Sequence, residues 1–167
     1  MPEPPPDFRT ILEALEAANV RCVLIGGLAM TVHGSSHVTQ DIDFGYSREP
    51  ENITALVQAL QGMGPRARGL PEGLPFVWDE RTLRAMANMT LDTDAAPVDL
   101  LAEIPGIESF EALWNHSVAT EIYGVQVQVA SLDDLIAMKR AANRPKDRSH
   151  LLELLALQAV RANLAPE

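Results

Sequence analysis

Val23-Leu24-Ile25-Gly26-Gly27-Leu28-Ala29-Met30-Thr31-Val32-His33-Gly34 leads almost at once into Val38-Thr39-Gln40-Asp41-Ile42-Asp43-Phe44. The first stretch reads as a buried strand from Val20 to Ile25, a diglycine, and a helix to His33 with Gly34 as its C′ residue. The second reads as another strand. Alternate strand residues face opposite ways, so Asp41 and Asp43 share one face while Ile42 and Phe44 share the other. The apolar pair packs into a core and the carboxylates face a cleft, ~6.6 Å apart along the strand. Such oxygen ligands suit Mg²⁺, which is held by one or two carboxylates plus substrate phosphates. Gly26 and Gly27 let backbone approach a ligand, and the helix N-terminus that follows offers N–H groups to phosphate. A diglycine alone is only a tight turn, and Asp-x-Asp alone is only an acidic strand face. In this order, one short helix apart, they point to a nucleotide and its metal.

The rest of the chain reads as equipment around that pair. Asp7 caps a helix from Phe8 to Ala18 whose Phe8, Ile11, Leu12 and Leu15 follow helical spacing. Pro50 to Gln61 is a second amphipathic helix. Gly62 to Pro75 is a Gly- and Pro-rich loop whose Arg66 and Arg68 either serve substrate or, as loop residues commonly are, are solvated, and Phe76-Val77-Trp78 is an extended piece over the cleft. Thr82 to Leu91 and Pro97 to Ala102 read as an antiparallel hairpin. Asp99 interrupts an apolar run there, and a buried carboxylate needs a metal or an arginine beside it. Ile107 to His116 is a helix, and 119–123 with 125–130 form a small hairpin around Gly124. Ser131 and Asp134 make a capping box for a helix to Asn143, and Asp147 caps a last helix from Leu151 to Val160. Between these two helices lie Lys139, Arg140, Arg144, Lys146 and Arg148, five of the thirteen Lys and Arg residues and both lysines. In an acidic chain that concentration suggests a polyanion contact. Lys139 is expected to reach nucleotide phosphates, with Arg144 and Lys146 helping to bind nucleotide or acceptor. Thr39 either contacts phosphate, orients a carboxylate, or is simply a strand-favouring residue.

Gly26-Gly27, a gap of thirteen residues and then Asp41-Ile42-Asp43 resembles the signature of the nucleotidyltransferase superfamily with the polymerase-β-type fold. The wider pattern, with Pro97-Val98-Asp99-Leu100-Leu101 and Ser131 through Asp147, is similar to its small stand-alone bacterial members, including relatives of AbiEii-type toxins. The resemblance spans roughly residues 7 to 160. It implies an α/β fold with a mixed sheet and helices packed against it, two Mg²⁺ ions on Asp41, Asp43 and Asp99, and an NTP as substrate. By the same resemblance Asp99 is the third catalytic carboxylate, serving as general base and metal ligand. His37 stands near the triphosphate, where near relatives often carry Arg; its other reading is an ordinary loop histidine. Many superfamily members carry Ser at the position of Gly27. The implied acceptor is a tRNA end, a protein side chain or a small molecule, and a toxin opposed by an antitoxin partner is one setting.

Composition sets the outer bounds. At 167 residues and 47% hydrophobic the chain can bury a core, and residues 7–160 read as one domain after a Pro-rich, mobile Met1 to Pro6. A net charge of −10 argues against broad nucleic-acid binding but permits a local basic patch. Cys22 is the single cysteine, read as a small buried hydrophobe in a reducing cytosol. No run is long enough to span a membrane. The competing reading is a non-catalytic nucleotide- or partner-binding module that keeps the fold.

Overall fold

The computed structural model describes residues 2–166; Met1, the first residue of the Pro-rich stretch expected to be mobile, lies outside them. Helix α1 (Phe8–Ala17) starts where the Asp7 carboxylate accepts the Thr10 amide at 3.1 Å, and it buries Phe8, Ile11, Leu12 and Leu15. Strand β1 (Cys22–Ile25) follows, then helix α2 (Gly26–Val32) and strand β2 (Ile42–Tyr46). Next come α3 (Pro50–Gln61), the two-residue β3 (Arg66–Ala67), α4 (Glu80–Ala85), β4 (Asn88–Asp92) and β5 (Val98–Leu101). The chain closes with α5 (Phe110–His116), the hairpin β6 (Val118–Ile122) and β7 (Val125–Val129), α6 (Leu132–Ala142) and α7 (Pro145–Leu164).

The seven strands form one mixed sheet in the order β3-β4-β5-β2-β1-β7-β6. β1 lies inside it, antiparallel to β2 and parallel to β7, as its continuous apolar character requires. β2 runs parallel to β5, and this pairing sets Asp43 directly beside Asp99. Ile42, Phe44, Val98 and Leu100 point the other way and are buried, so the alternation that exposes the aspartates also drives their strands into the core. The α/β class and the mixed sheet are as expected.

Several local expectations are corrected. The aspartate strand begins at Ile42, not Val38, which is 80% exposed. Thr39 Oγ1 hydrogen-bonds the Asp41 backbone oxygen at 2.9 Å and holds a local bend in place of extended chain. Thr82 to Leu91 is not one strand. Asp79 accepts the Thr82 amide at 2.7 Å and starts α4, which buries Leu83 before β4 begins. Phe76 to Trp78 forms no strand over the cleft; the Trp78 indole donates to the Val57 oxygen at 3.0 Å and is buried against α3. The loop from Gly62 contains β3, paired to β4. Helix α5 starts at Phe110, where the Ser109 hydroxyl accepts the Ala112 amide, and not at Ile107. Ser131 caps α6, but Asp134 turns its carboxylate to His116 Nδ1 at 3.1 Å instead of closing a capping box. Helix α7 begins at Pro145, six residues earlier than read, because Pro at the first position and the Asp147 carboxylate accepting the Arg144 amide form its start.

The β5–α5 connection is seated on α6 by Gly106, whose φ is +85°. A Cβ there would lie 2.5 Å from the Ala137 carbonyl oxygen. Gly106→Ala is expected to combine left-handed strain with a backbone clash and to lower unfolding free energy by ~2 kcal/mol. Urea denaturation of the purified variant measures this; an unchanged midpoint would contradict the packing.

Candidate active site

Three carboxylates meet at one end of the sheet. Asp43 lies on β2, Asp99 is its register partner on β5, and Asp41 sits in the bend before β2. One oxygen from each lies within 4.8 Å of the others. Each is held differently. The single proton of Thr39 Oγ1 is shared between the Asp41 backbone oxygen and Asp41 Oδ1, which lies 2.8 Å away. Asp43 fits against Gly26, which turns the chain from β1 into α2 at φ +69°; a Cβ on Gly26 would lie 2.7 Å from Asp43 Cγ. Asp99 Oδ1 lies 3.0 Å from Arg68 Nη1.

Crowding like charges in a partly desolvated place raises their affinity for protons. Burial first, then Asp41 and Asp99, push the Asp43 carboxyl up to about 8, against the nearby Lys139 ammonium. Burial raises Asp99 as well, while the Arg68 guanidinium pulls it back. A divalent cation fits this set. Three convergent hard oxygens, one of them protonated when no cation neutralises its neighbours, are a donor set for Mg²⁺.

Facing the carboxylates is a cationic wall made by α6 and the start of α7. Asp147 organises it. This residue is fully buried and accepts Lys139 Nζ at 3.1 Å and Arg144 Nε at 2.7 Å. Burial raises its carboxyl, but the hydrogen bonds from the Arg144 side chain, Lys139 and the Arg144 amide outweigh burial and hold it well below the usual carboxylate range. The His37 and His150 rings meet edge to face at 4.6 Å, and the buried His150 Nδ1 has no hydrogen-bond partner among the described residues. Burial, with Lys139 and His37 nearby, lowers the His150 imidazole.

All ten residues singled out from the sequence line one cleft of about 530 Å³: Gly26, Gly27, His37, Thr39, Asp41, Asp43, Asp99, Lys139, Arg144 and Lys146. Gly27 is packed so closely that a Cβ would lie 2.9 Å from His37 Cδ2 and from Thr39 Cβ. Arg140 and Arg148 are exposed and do not line it, so the basic cluster divides. Reading the sequence missed three contributors. His150 is four residues after Lys146 and shares its helix face, a spacing hidden by starting the last helix at Leu151. Asp147 was legible as a cap but not as the counter-ion of Lys139. Arg68, for which the sequence offers a solvated loop or a substrate contact, instead reaches Asp99; nothing local in the sequence signals that. Among the described residues no helix is long and apolar enough to cross a membrane.

No family model and no curated protein matches the chain. Solved structures do. A proposed nucleotidyltransferase of Thermotoga maritima, TM1012, superposes with a TM-score of 0.57 at 17% identity over 89% of this chain and 90% of that one. The antibiotic-resistance factor ANT(2″)-Ia is similar in its solution structure, with a TM-score of 0.52 at 16% identity over 94% of this chain and 88% of that one. Its crystal structure in complex with adenylyl-2″-tobramycin gives 0.51 and 17% over 95% and 97%. The chain therefore has the nucleotidyltransferase fold.

The raised Asp43 carboxyl ties stability to pH. The folded protein keeps this proton up to about pH 8, whereas the unfolded chain releases it near pH ~4. The stability from this group is full below the lower value and is lost as pH rises through the higher one. In EDTA, Asp43→Asn is expected to flatten the decline between pH 5 and pH 9 and to stabilise the protein at pH 8 by on the order of 2 kcal/mol. Thermal melts across that range measure it, and a variant less stable than wild type at pH 8 would refute the electrostatic account.

Proposed function

We propose that the chain is a Mg²⁺-dependent nucleotidyltransferase that moves a nucleoside monophosphate from an NTP to an acceptor hydroxyl. The observation that carries this is the meeting of Asp41, Asp43 and Asp99 with a glycine turn and a cationic wall in one cleft. The adenylylated aminoglycoside held by ANT(2″)-Ia, on the same fold, supports the same class of chemistry.

Asp41, Asp43 and Asp99 would hold one or two Mg²⁺ ions. When bound, Mg²⁺ neutralises charge on the triphosphate and on the attacking and leaving oxygens. The chain's own groups do the rest. The amides at Gly26 and Gly27 donate to phosphate oxygens, and no side chain caps α2 to compete for them. Lys139, Arg144 and Lys146 balance the triphosphate charge from the opposite wall, with Asp147 fixing the first two in place. His37 adds a polar edge beside Gly27. Thr39 already spends its hydroxyl on Asp41, so its role is to orient that carboxylate. Asp99 accepts the acceptor's hydroxyl proton. The hydroxyl oxygen bonds to the α-phosphorus, the bond from that phosphorus to the bridging oxygen breaks, and pyrophosphate leaves with its electron pair.

The acceptor is RNA such as a tRNA end, a protein, or a small molecule. A toxin restrained by an antitoxin is one setting, and growth arrest by wild type but not by Asp43→Asn would mark it. The direct test incubates wild type and Asp43→Asn with Mg²⁺, each α-labelled NTP and a cell extract, then divides the products by nuclease and protease digestion. Label from wild type alone establishes transfer and names the acceptor class. Mg²⁺-dependent NTP binding without transferred label would favour a binding module. Asp41→Asn and Asp99→Asn are each expected to lower turnover at least ~10²-fold with circular dichroism unchanged; wild-type turnover in either removes it from the catalytic set.

A further inference from the structure

Arg68 is held far more firmly than a loop arginine. Its amide donates to the Thr90 oxygen at 3.0 Å, its Nε to Asp92 Oδ1 at 3.1 Å, and its Nη2 to the Leu91 oxygen at 2.9 Å. These three contacts lie on β4 or at its end and point the remaining nitrogen, Nη1, across β4 to Asp99 on β5. The side chain is 33% exposed, and Asp99 is 18% exposed. Asp99 Oδ1 is itself buried and has no hydrogen-bond partner among the described residues: Nη1 stands 3.0 Å away as an ion-pair partner, off the line of an N–H bond. Arg68 does not line the cleft that Asp99 lines, so it approaches the carboxylate from behind. The two-residue strand β3, too short to add much to the sheet, ends immediately before this arginine.

We propose that Arg68 is the positioning residue for Asp99: anchored on β4, its guanidinium holds one carboxylate oxygen from behind the cleft and so fixes the direction the carboxylate faces toward Asp41 and Asp43. This deepens, and rests on, the nucleotidyl-transfer reading. A guanidinium held by two hydrogen bonds, on a backbone that is itself bonded to β4, restricts rotation of the carboxylate it touches, and it supplies fixed positive charge behind the three crowded acids. It does not line the cleft in which the nucleotide would lie. Its loss therefore acts on the step that uses Asp99 and not on nucleotide binding.

The test compares wild type with Arg68→Ala, Arg68→Lys and Arg68→Gln. Arg66→Ala is the control, because Arg66 is two residues away on β3 but pairs with exposed Asp94. Three quantities are read: steady-state kinetics with NTP and the acceptor found by labelling, the melting temperature, and Mn²⁺ affinity without nucleotide by electron paramagnetic resonance. Arg68→Ala is expected to lower kcat ~10- to 100-fold with KM for NTP within about twofold, Arg68→Lys to recover part of kcat, and Arg66→Ala to match wild type. Removing a cation beside a carboxylate strengthens the attraction of a metal, so Arg68→Gln is expected to bind Mn²⁺ ~3- to 10-fold more tightly. Wild-type kcat in Arg68→Ala, or a loss that tracks melting temperature with Lys no better than Ala, overturns the proposal. So does unchanged Mn²⁺ binding in a folded Arg68→Gln, since removing a guanidinium that holds Asp99 must alter the carboxylate's hold on a metal. If wild type transfers no nucleotide, the functional reading fails by itself, while Mn²⁺ binding still decides whether Arg68 governs the carboxylate.

Discussion

The parallel register of β2 against β5, which sets Asp43 beside Asp99, is the constraint on which the molecule turns. Backbone hydrogen bonds hold two carboxylates at neighbouring positions on one sheet face. Repulsion between them, sharpened by partial burial, would push the strands apart if nothing opposed it. What opposes it is the apolar side of the same strands. Ile42, Phe44, Val98 and Leu100 are buried, and register cannot slip by one residue without exchanging that face for the acidic one. Hydrophobic burial thus stabilises an arrangement that electrostatics alone would not permit.

The remaining architecture supplies counter-charge from two sides. Arg68 comes from the sheet edge, behind Asp99. Lys139, Arg144 and Lys146 come from the α6–α7 hairpin, in front. The front group depends on a buried acid. Asp147 caps α7, pins Lys139 and Arg144, and has no exposure of its own. A capping carboxylate that also receives two cations couples the start of a helix to the charge balance of a cleft. The same economy appears at Gly26, where a left-handed turn lets the backbone pass beside Asp43 at a distance no side chain permits.

Those elements differ in how they can be read. The diglycine, the Asp-x-Asp pair, Asp99 in its apolar run and the lysines all carry their signal in local pattern, and all of them line the cleft. The errors fall where a short polar side chain competes with periodicity. Thr39 bends the chain before β2, Asp79 turns an expected strand into α4, and Asp147 starts α7 early enough to bring His150 onto the cleft face. Each is a hydrogen bond between a side chain and nearby backbone, and its strength depends on whether that backbone has a better partner elsewhere.

By itself the sequence determined the α/β class, the central strand and its glycine turn, and which residue types face the cleft, because strand alternation and glycine's freedom are local properties of the chain. Tertiary structure alone decided that Asp99 lies beside Asp43, that Arg68 reaches Asp99 from just beyond a two-residue edge strand, and that Asp147 binds Lys139 eight residues away. Those contacts join segments whose separation along the chain carries no periodic signal. They exist only once the core has fixed the strand order and the packing of the last two helices.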